Sequence, residues 1–220
     1  MNRPLLLGHR GARAVKAIRE NTIESFDRAL ADGCDGFEFD VRLTRDRVAV
    51  IYHDEKVRLL KIAHNSAEKL KRLPRLGDVV ARYQRNAFLD IELKDPGLEE
   101  ITAQLLEKNE PSRGYVVSSF LPEVLRTLHE IEPQIPLGLI CEKPAQLARQ
   151  TELPIQCVMI SRKLALPDTI DRLKTAGKKV FVWTVNDPAE MMRFAQAGVD
   201  GLISDRTGLL CRTFKIESRS

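Results

Sequence analysis

Eight short apolar segments recur along the chain, and stretches with helical spacing of their apolar residues lie between them. The predicted strands are rich in Val, Ile, Leu and Phe and cover residues 4–8, 36–43, 87–93, 115–119, 136–141, 157–161, 179–185 and 201–204. The predicted helices cover residues 21–33, 75–83, 97–109, 121–131, 145–150, 167–177 and 188–198. Strands that alternate with helices form parallel sheets, and eight such strands predict an α/β fold, a (β/α)8 TIM barrel. A doubly wound open sheet is the alternative.

The chain length of 220 residues suits one barrel, and no linker, low-complexity run or internal repeat divides it. We therefore expect a single domain over residues 1–220. One small elaboration follows the second strand. Residues 48–54 predict an extra strand, and residues 56–73 form a basic, irregular loop. In a barrel, a loop at this position lies over the face that carries active sites.

Composition excludes several classes of protein. The net charge is only +4 and its basic residues are scattered, which argues against a nucleic-acid partner. No apolar run is long enough for a signal peptide or a membrane span, so we expect a cytoplasmic protein without stable membrane insertion. The four cysteines lie far apart and form no CxxC pair, which argues against a zinc site and a disulfide framework.

Charged residues interrupt two predicted strands on one face only. Residues 36–43 alternate strictly, so Glu38 and Asp40 share a face, and Asp90, Glu92 and Lys94 repeat this pattern along residues 88–95. Burying unpaired charge is costly, and strands of a parallel sheet are ordinarily apolar on both faces. A buried ion-pair network is one interpretation. We favour a second interpretation, in which carboxylates from both strands converge on a divalent cation, Mg²⁺ or Ca²⁺.

Two of the four histidines lie where barrels place catalytic groups. His9 ends the first predicted strand and His53 ends the extra strand, so both occupy carboxyl-terminal strand positions. Imidazole titrates near neutral pH and serves as a general acid or a general base. His64 and His129 lie in a polar loop and a helix, and we interpret both as residues without a catalytic role.

Arg10 and Lys94 add positive charge beside these groups. A guanidinium binds two oxygens of a phosphate at once, whereas an ammonium acts as a point charge. Histidines, a hard metal ion and cations of this kind together predict chemistry on a phosphate ester. In such chemistry the positive charges stabilise developing negative charge, and the imidazoles transfer protons.

Three further residues are candidates for supporting roles at the site or in the fold. Glu20 is placed to orient Arg10 or to serve the structure alone, and Asn21 is predicted to cap the first helix with Glu24 three residues later. Trp183, the single tryptophan, is either ordinary core or an apolar wall for the alcohol portion of the substrate. We favour the wall.

The sequence resembles the glycerophosphodiester phosphodiesterases. The resemblance rests on GHRG, ENTIESFDRALADGCDGFEFDVRLTRD, VIYHD, IELK, VVSSF, VWTVND and GVDGLISDR, in the family's order, and it covers Leu7 to about Gly208. It implies a (β/α)8 barrel that uses a divalent cation to hydrolyse glycerophosphodiesters, a small-molecule substrate, to glycerol 3-phosphate and an alcohol. The resemblance also implies a two-step route. A neighbouring hydroxyl of the substrate attacks phosphorus to give a cyclic phosphate, which water then opens.

The resemblance also implies roles for particular residues. It assigns Glu38, Asp40 and Glu92 as metal ligands, His9 and His53 as the acid–base pair, and Arg10 and Lys94 as phosphate contacts.

The chain departs from the family at Arg19, at Arg47 and in the loop 56–69. We expect Arg47 to affect only the geometry of its turn, whereas the other two departures bear on the choice of alcohol and not on the chemistry. Two alternative functions are compatible with part of this interpretation. One is an enzyme that releases head groups from lysophospholipids, and the other is a non-catalytic barrel that binds phosphodiesters.

Overall fold

The strands and helices of the protein follow the predicted alternation. The structure is a computed structural model and describes residues 3–215. Its strands are β1 Leu5–Gly8, β2 Gly36–Leu43, β3 Ala49–Ile51, β4 Lys56–Val57, β5 Leu60–Lys61, β6 Phe88–Leu93, β7 Tyr115–Ser119, β8 Leu137–Cys141, β9 Cys157–Ser161, β10 Lys179–Trp183 and β11 Gly201–Ser204. Its helices are α1 Ile23–Asp32, α2 Leu76–Tyr83, α3 Glu99–Lys108, α4 Pro122–Ile131, α5 Pro144–Ala148, α6 Pro167–Thr175, α7 Pro188–Gln196 and α8 Thr207–Lys215.

Eight parallel strands close into a barrel within residues 3–215. Their order is β1, β2, β6, β7, β8, β9, β10 and β11, and β11 pairs with β1 to complete the ring. Leu5 lies opposite Gly201, while Leu7 lies opposite Gly36 on the other side of β1. The prediction of a (β/α)8 barrel is therefore confirmed, and the open sheet is wrong because its edge strands would remain unpaired.

The barrel strands are buried on both faces, which explains their apolar composition. On the outer face of β2, Phe37 stacks on Phe26 of α1 with ring centroids 4.2 Å apart, and Tyr83 of α2 meets Phe37 edge-on. The interior of the barrel is filled by a separate cluster that includes Leu7, Phe181 and Ile203. This apolar plug occupies the middle of the barrel, so polar groups that point inward gather at its mouth.

The elaboration after the second barrel strand adopts a defined structure. β3 pairs antiparallel with β2, β4 and β5 form a two-stranded hairpin, and a short 3-10 helix follows at Ile62–His64. Residues up to Pro74 then lead into α2. The predicted extra strand is therefore present as β3, and the loop 56–73 contains a hairpin that its basic composition did not indicate.

Two local predictions about helices need correction. Thr22, not Asn21, caps α1, because the Thr22 hydroxyl accepts a hydrogen bond from the Ser25 amide at 3.2 Å. Asn21 instead adopts φ 57° and is buried. The eighth helix was not predicted, although Thr207, Leu210, Cys211 and Phe214 of α8 are buried at helical spacing.

The helices within residues 3–215 are at most ten residues long. None of them has the length or the apolar composition needed to cross a bilayer.

Candidate active site

The register between β2 and β6 brings the charged residues of the two strands together. Glu38 lies opposite Asp90, and Asp40 lies opposite Glu92. Because side chains alternate along a strand, all four carboxylates point into the barrel. One oxygen from each of Glu38, Asp40 and Glu92 lies within 4.8 Å of the other two. Three buried carboxylates therefore converge at the mouth of the barrel.

The carboxylate cluster fits a hard divalent cation. Burial raises the pKa of Glu38 well above its usual value, and the nearby carboxylates of Asp40 and Glu92 raise it further. Glu38 Oε1 is buried and accepts no hydrogen bond from any residue that the structure describes. A cation would offset the repulsion among the carboxylates and would give Glu38 Oε1 a partner. An all-oxygen ligand set suits Mg²⁺ or Ca²⁺.

Lys94 lies between two members of this cluster. Its Nζ is 2.7 Å from Glu92 Oε1 and 3.0 Å from Asp40 Oδ1. Burial alone would raise the pKa of Asp40, but Lys94 and Arg10 outweigh burial and hold that pKa below its usual value. Asp40 is therefore ionised at neutral pH, whereas burial and Asp40 raise the pKa of Glu92.

Arg10 approaches the cluster from the turn after β1. Its backbone amide donates to Glu38 Oε2 at 2.9 Å, and its Nε lies 3.3 Å from Asp40 Oδ2 without hydrogen-bond geometry. Arg10 adopts φ 50°, and the next residue, Gly11, has φ 78° and packs where a Cβ would overlap Ser25. The turn thus depends on a glycine, and it holds the Arg10 guanidinium beside the carboxylates.

Glu20 and Asn21 hold this corner of the site. Glu20 Oε1 accepts from Arg10 Nη1 at 2.8 Å, and Glu20 Oε2 accepts from Arg13 Nε at 2.7 Å. Asn21 Nδ2 donates to Asp40 Oδ2 at 2.7 Å. The left-handed backbone at Asn21, which asparagine adopts more readily than most residues, turns its amide toward the carboxylate.

His9 is oriented by a carboxylate from the far end of the chain. Its Nδ1 lies 2.7 Å from Asp205 Oδ1, and its Nε2 lies 3.8 Å from Glu38 Oε2. Burial would raise the pKa of Asp205, but hydrogen bonds and charge from His9, with Asn186 and Arg13, hold it well below its usual value. Asp205 is therefore an anion that accepts from Nδ1, which leaves Nε2 directed at the carboxylate cluster.

His53 reaches the site from the elaboration and not from a barrel strand. It follows β3, which is antiparallel to β2, so its predicted equivalence with His9 is wrong. Its Nδ1 lies 2.7 Å from Asp54 Oδ1, and Arg42 Nη2 donates to the His53 carbonyl oxygen at 2.9 Å. Burial lowers the pKa of His53, although Asp40 and Asp54 oppose the shift. The imidazole is therefore predominantly neutral at pH 7.

One cavity of about 320 Å³ joins these groups. The predicted site residues that line it are His9, Arg10, Glu38, His53, Glu92, Lys94 and Trp183. Asp40 and Glu20 stand behind this lining and contact Arg10. Trp183 ends β10, and its Nε1 donates to the Met159 carbonyl oxygen at 2.9 Å. The site therefore combines oxygen ligands, cations and two imidazoles in a space of small-molecule size.

Two of the residues that build the site were missed. Asp205 directly follows β11, at the same edge of the barrel as the other site residues, and its signals in the sequence were that position and its place in the segment GVDGLISDR. Asn21 was predicted to be a helix cap, and its bond to Asp40 had no local signal.

Asp90 is a buried carboxyl group below the cluster, and Ser118 Oγ donates to its Oδ1 at 2.6 Å. Burial raises the pKa of Asp90 to about 7, with further contributions from Glu92 and Asp40, although Ser118 opposes the shift. The unfolded chain ionises this group near pH 4. Between pH 4 and 7 the folded protein thus binds the extra proton, and stability falls as pH rises.

Asp90→Asn should therefore stabilise the cation-free protein at pH 8, by roughly 2–4 kcal/mol, and leave it unchanged at pH 4. Asparagine keeps an acceptor for Ser118 but cannot ionise. Urea unfolding across pH 4–8 with a chelator present measures the effect, and Asp171→Asn on the exposed side of α6 is the control. If the free energy of unfolding of Asp90→Asn changed with pH in parallel with that of the wild type, the raised pKa assigned to Asp90 would be contradicted.

Sequence comparison identifies relatives over nearly the whole chain. The model described as the glycerophosphoryl diester phosphodiesterase family matches residues 9–75 and 64–209. A glycerophosphodiester phosphodiesterase of Caldanaerobacter subterraneus subsp. tengcongensis is 30% identical over 235 residues, which cover 91% of this chain and 93% of that protein.

Solved structures share the fold. A glycerophosphodiester phosphodiesterase from Parabacteroides distasonis is 27% identical with a TM-score of 0.80, and the match covers 99% of both chains. An Oleispira antarctica phosphodiesterase, solved in complex with the product sn-glycerol-3-phosphate, is 24% identical with a TM-score of 0.84 over 97% of both chains.

Proposed function

This chain belongs to the glycerophosphoryl diester phosphodiesterase family, and we propose that it hydrolyses glycerophosphodiesters to glycerol 3-phosphate and an alcohol. The observation that carries the proposal is the shared cavity, where three buried carboxylates meet two histidines and two cations. A barrel that only binds phosphodiesters would need the cations but would have no use for two oriented imidazoles.

The metal ligands in this proposal are Glu38, Asp40 and Glu92, with one Mg²⁺ or Ca²⁺ as the cofactor. When bound, the cation supplies positive charge where negative charge develops on the phosphoryl oxygens. Arg10 and Lys94 are the phosphate contacts. Both side chains line the cavity beside the carboxylates, which supports this role.

His9 and His53 transfer the protons. A glycerol hydroxyl next to the ester attacks phosphorus, one imidazole accepts its proton, and the other donates a proton to the departing alcohol oxygen. Water then opens the cyclic phosphate, with the two imidazoles in exchanged roles. Asp205 positions His9, Glu20 positions Arg10, and Trp183 forms an apolar wall for the substrate.

Release of glycerol 3-phosphate tests the proposal directly. We expect turnover of glycerophosphocholine, glycerophosphoethanolamine or glycerophosphoglycerol in the presence of Mg²⁺ or Ca²⁺. Binding of these diesters without turnover under either cation would instead establish the non-catalytic barrel.

Asp205→Asn should lower kcat by roughly 10²-fold with little change in KM, because an amide can donate to His9 Nδ1 and favour the wrong tautomer. Steady-state kinetics measure the change. Asp187→Asn is the matched control, since Asp187 caps α7 through its side chain and asparagine caps equally well. An Asp205→Asn variant with wild-type kcat would remove the positioning role.

The hairpin β4–β5 favours a second candidate function, the release of head groups from lysophospholipids. Leu59 at its tip is 95% exposed and Leu60 is 41% exposed. Residues 56–73 contain six Lys or Arg, all exposed, against one Glu, a net charge of +5 that exceeds the +4 of the whole chain. Apolar tips ringed by cations bind anionic lipid surfaces.

Leu59→Ser should lower choline release from lysophosphatidylcholine carried in phosphatidylglycerol vesicles by about tenfold, since it removes apolar area from the lipid contact. Ile131→Ser, at the exposed end of α4 on the opposite rim of the barrel, is the control. This candidate fails if the wild type releases no choline from the lysophospholipid, or if Leu59→Ser matches the wild type.

A further inference from the structure

The cavity has a second side, of which the proposed reaction uses only Trp183. The phosphate-directed groups come from β1, β2, β6 and the residues next to them, whereas the other side comes from β7 to β11. We call this side the aromatic wall; its members are Phe120, Ile140, Met159, Trp183 and Ile203. A diester spans the cavity, so with its phosphate at the cations one of its two organic groups lies against this wall.

The aromatic wall offers no hydrogen bond to a ligand. The indole Nε1 of Trp183, its single side-chain donor, is already bonded to the Met159 carbonyl oxygen. The rings of Phe120 and Trp183 meet edge to face, with centroids 5.9 Å apart and planes at 87°. Hydroxyl groups placed here would lose their water without gaining partners. The glycerol group is therefore a poor occupant of the wall.

A carboxylate completes this side of the cavity. Glu142 directly follows β8, is exposed and lines the same cavity. The Gln146 side chain accepts from the backbone amides of Glu142 and Lys143, each at 2.8 Å, and so fixes the backbone there. Within residues 3–215, the Glu142 carboxylate itself engages in no hydrogen bond or ion pair. It is therefore available to a ligand.

We propose that the aromatic wall and Glu142 form a subsite for a cationic head group, with a quaternary ammonium as the best occupant. Methyl groups of such a cation suit the apolar contacts of the wall, its charge suits the aromatic rings of Phe120 and Trp183, and Glu142 supplies the opposite charge. This inference rests on the proposed function and deepens it. It makes glycerophosphocholine the preferred substrate, glycerophosphoethanolamine the next and glycerophosphoglycerol the poorest.

The ratio of kcat/KM between glycerophosphocholine and glycerophosphoglycerol tests the subsite. We expect a ratio of about 10 or more for the wild type, and a fall of about 5–10-fold in Glu142→Gln, which keeps the size of the side chain but removes its charge. Glu130→Gln, exposed on α4 and outside the cavity, should keep the wild-type ratio. A wild-type ratio near 1, or a ratio unchanged in Glu142→Gln, overturns the inference.

A second measurement separates this inference from the proposed function. Trp183 is the single tryptophan of the chain, so intrinsic fluorescence reports on the wall directly. Choline should change this fluorescence saturably, its neutral isostere 3,3-dimethyl-1-butanol should act far more weakly, and Glu142→Gln should weaken the choline response. A choline response without turnover of any diester defeats the proposed function alone. Turnover of diesters without a choline response defeats the subsite alone.

Discussion

Replacing His9 by Ala should lower kcat for glycerophosphodiester hydrolysis by about 10²–10⁴-fold, the range expected for loss of one general acid or base. Nε2 of His9 points toward the carboxylate cluster, and Asp205 fixes the ring in that orientation. The variant should remain folded, because the Asp205 carboxylate keeps its bonds to Arg13 at 3.1 Å and Asn186 at 2.7 Å.

His53→Ala should have an effect of the same size. This side chain is about one-third exposed, and among residues 3–215 its single side-chain partner is the neighbouring Asp54. His64→Ala is the matched control, since His64 is exposed on the 3-10 helix outside the cavity. Steady-state rates and thermal unfolding of all three variants measure the effect. Near wild-type kcat in His9→Ala or His53→Ala, with the fold retained, would disprove the acid–base assignment for that residue.

Complete removal of divalent cations should lower turnover by about 10²–10³-fold or more, and added Mg²⁺ or Ca²⁺ should restore it. The expectation follows from the three convergent carboxylates and from Glu38 Oε1, which lacks a hydrogen-bond partner among the described residues. Restoration by excess cation excludes inhibition by the chelator itself. Activity that survives exhaustive chelation would contradict the metal assignment.

Glu38→Gln gives the same assignment a readout that does not depend on activity. A cation that binds only the folded state raises the Tm of the wild type, and the variant should lose most of that rise. Without cation the variant should be at least as stable as the wild type. Burial and neighbouring carboxylates raise the pKa of Glu38, so its ionisation costs stability that glutamine does not. Equal rises in Tm for both proteins would remove Glu38 from the ligand set.

The features predicted best from the sequence depend on short-range periodicity. Alternation along β2 and β6 placed Glu38, Asp40 and Glu92 on inward faces, and the regular exchange of strands and helices predicted the barrel. Both patterns can be read within short segments of the sequence. Neighbouring parallel strands then bring equivalent positions to the same edge of a sheet. The prediction needed no knowledge of contacts between distant residues.

The features that were missed depend on contacts with no local pattern. Asp205 meets His9 across a separation of 196 residues. The cap of α1 was misplaced by one position because Asn21 and Thr22 are both good capping residues. His53 was assigned to a strand end like that of His9, although β3 is antiparallel and lies outside the barrel. In each case the outcome depends on tertiary contacts that the local sequence does not specify.

The bond between His9 and Asp205 spans the seam at which the barrel closes, where β1 pairs with β11. Synthesis must add 196 residues after His9 before its partner Asp205 exists. A nascent or truncated chain that lacks β11 therefore lacks the carboxylate that orients this imidazole, even when the carboxylates of β2 and β6 are already present. Closure of the ring between β1 and β11 is thus the event that brings His9 and Asp205 together.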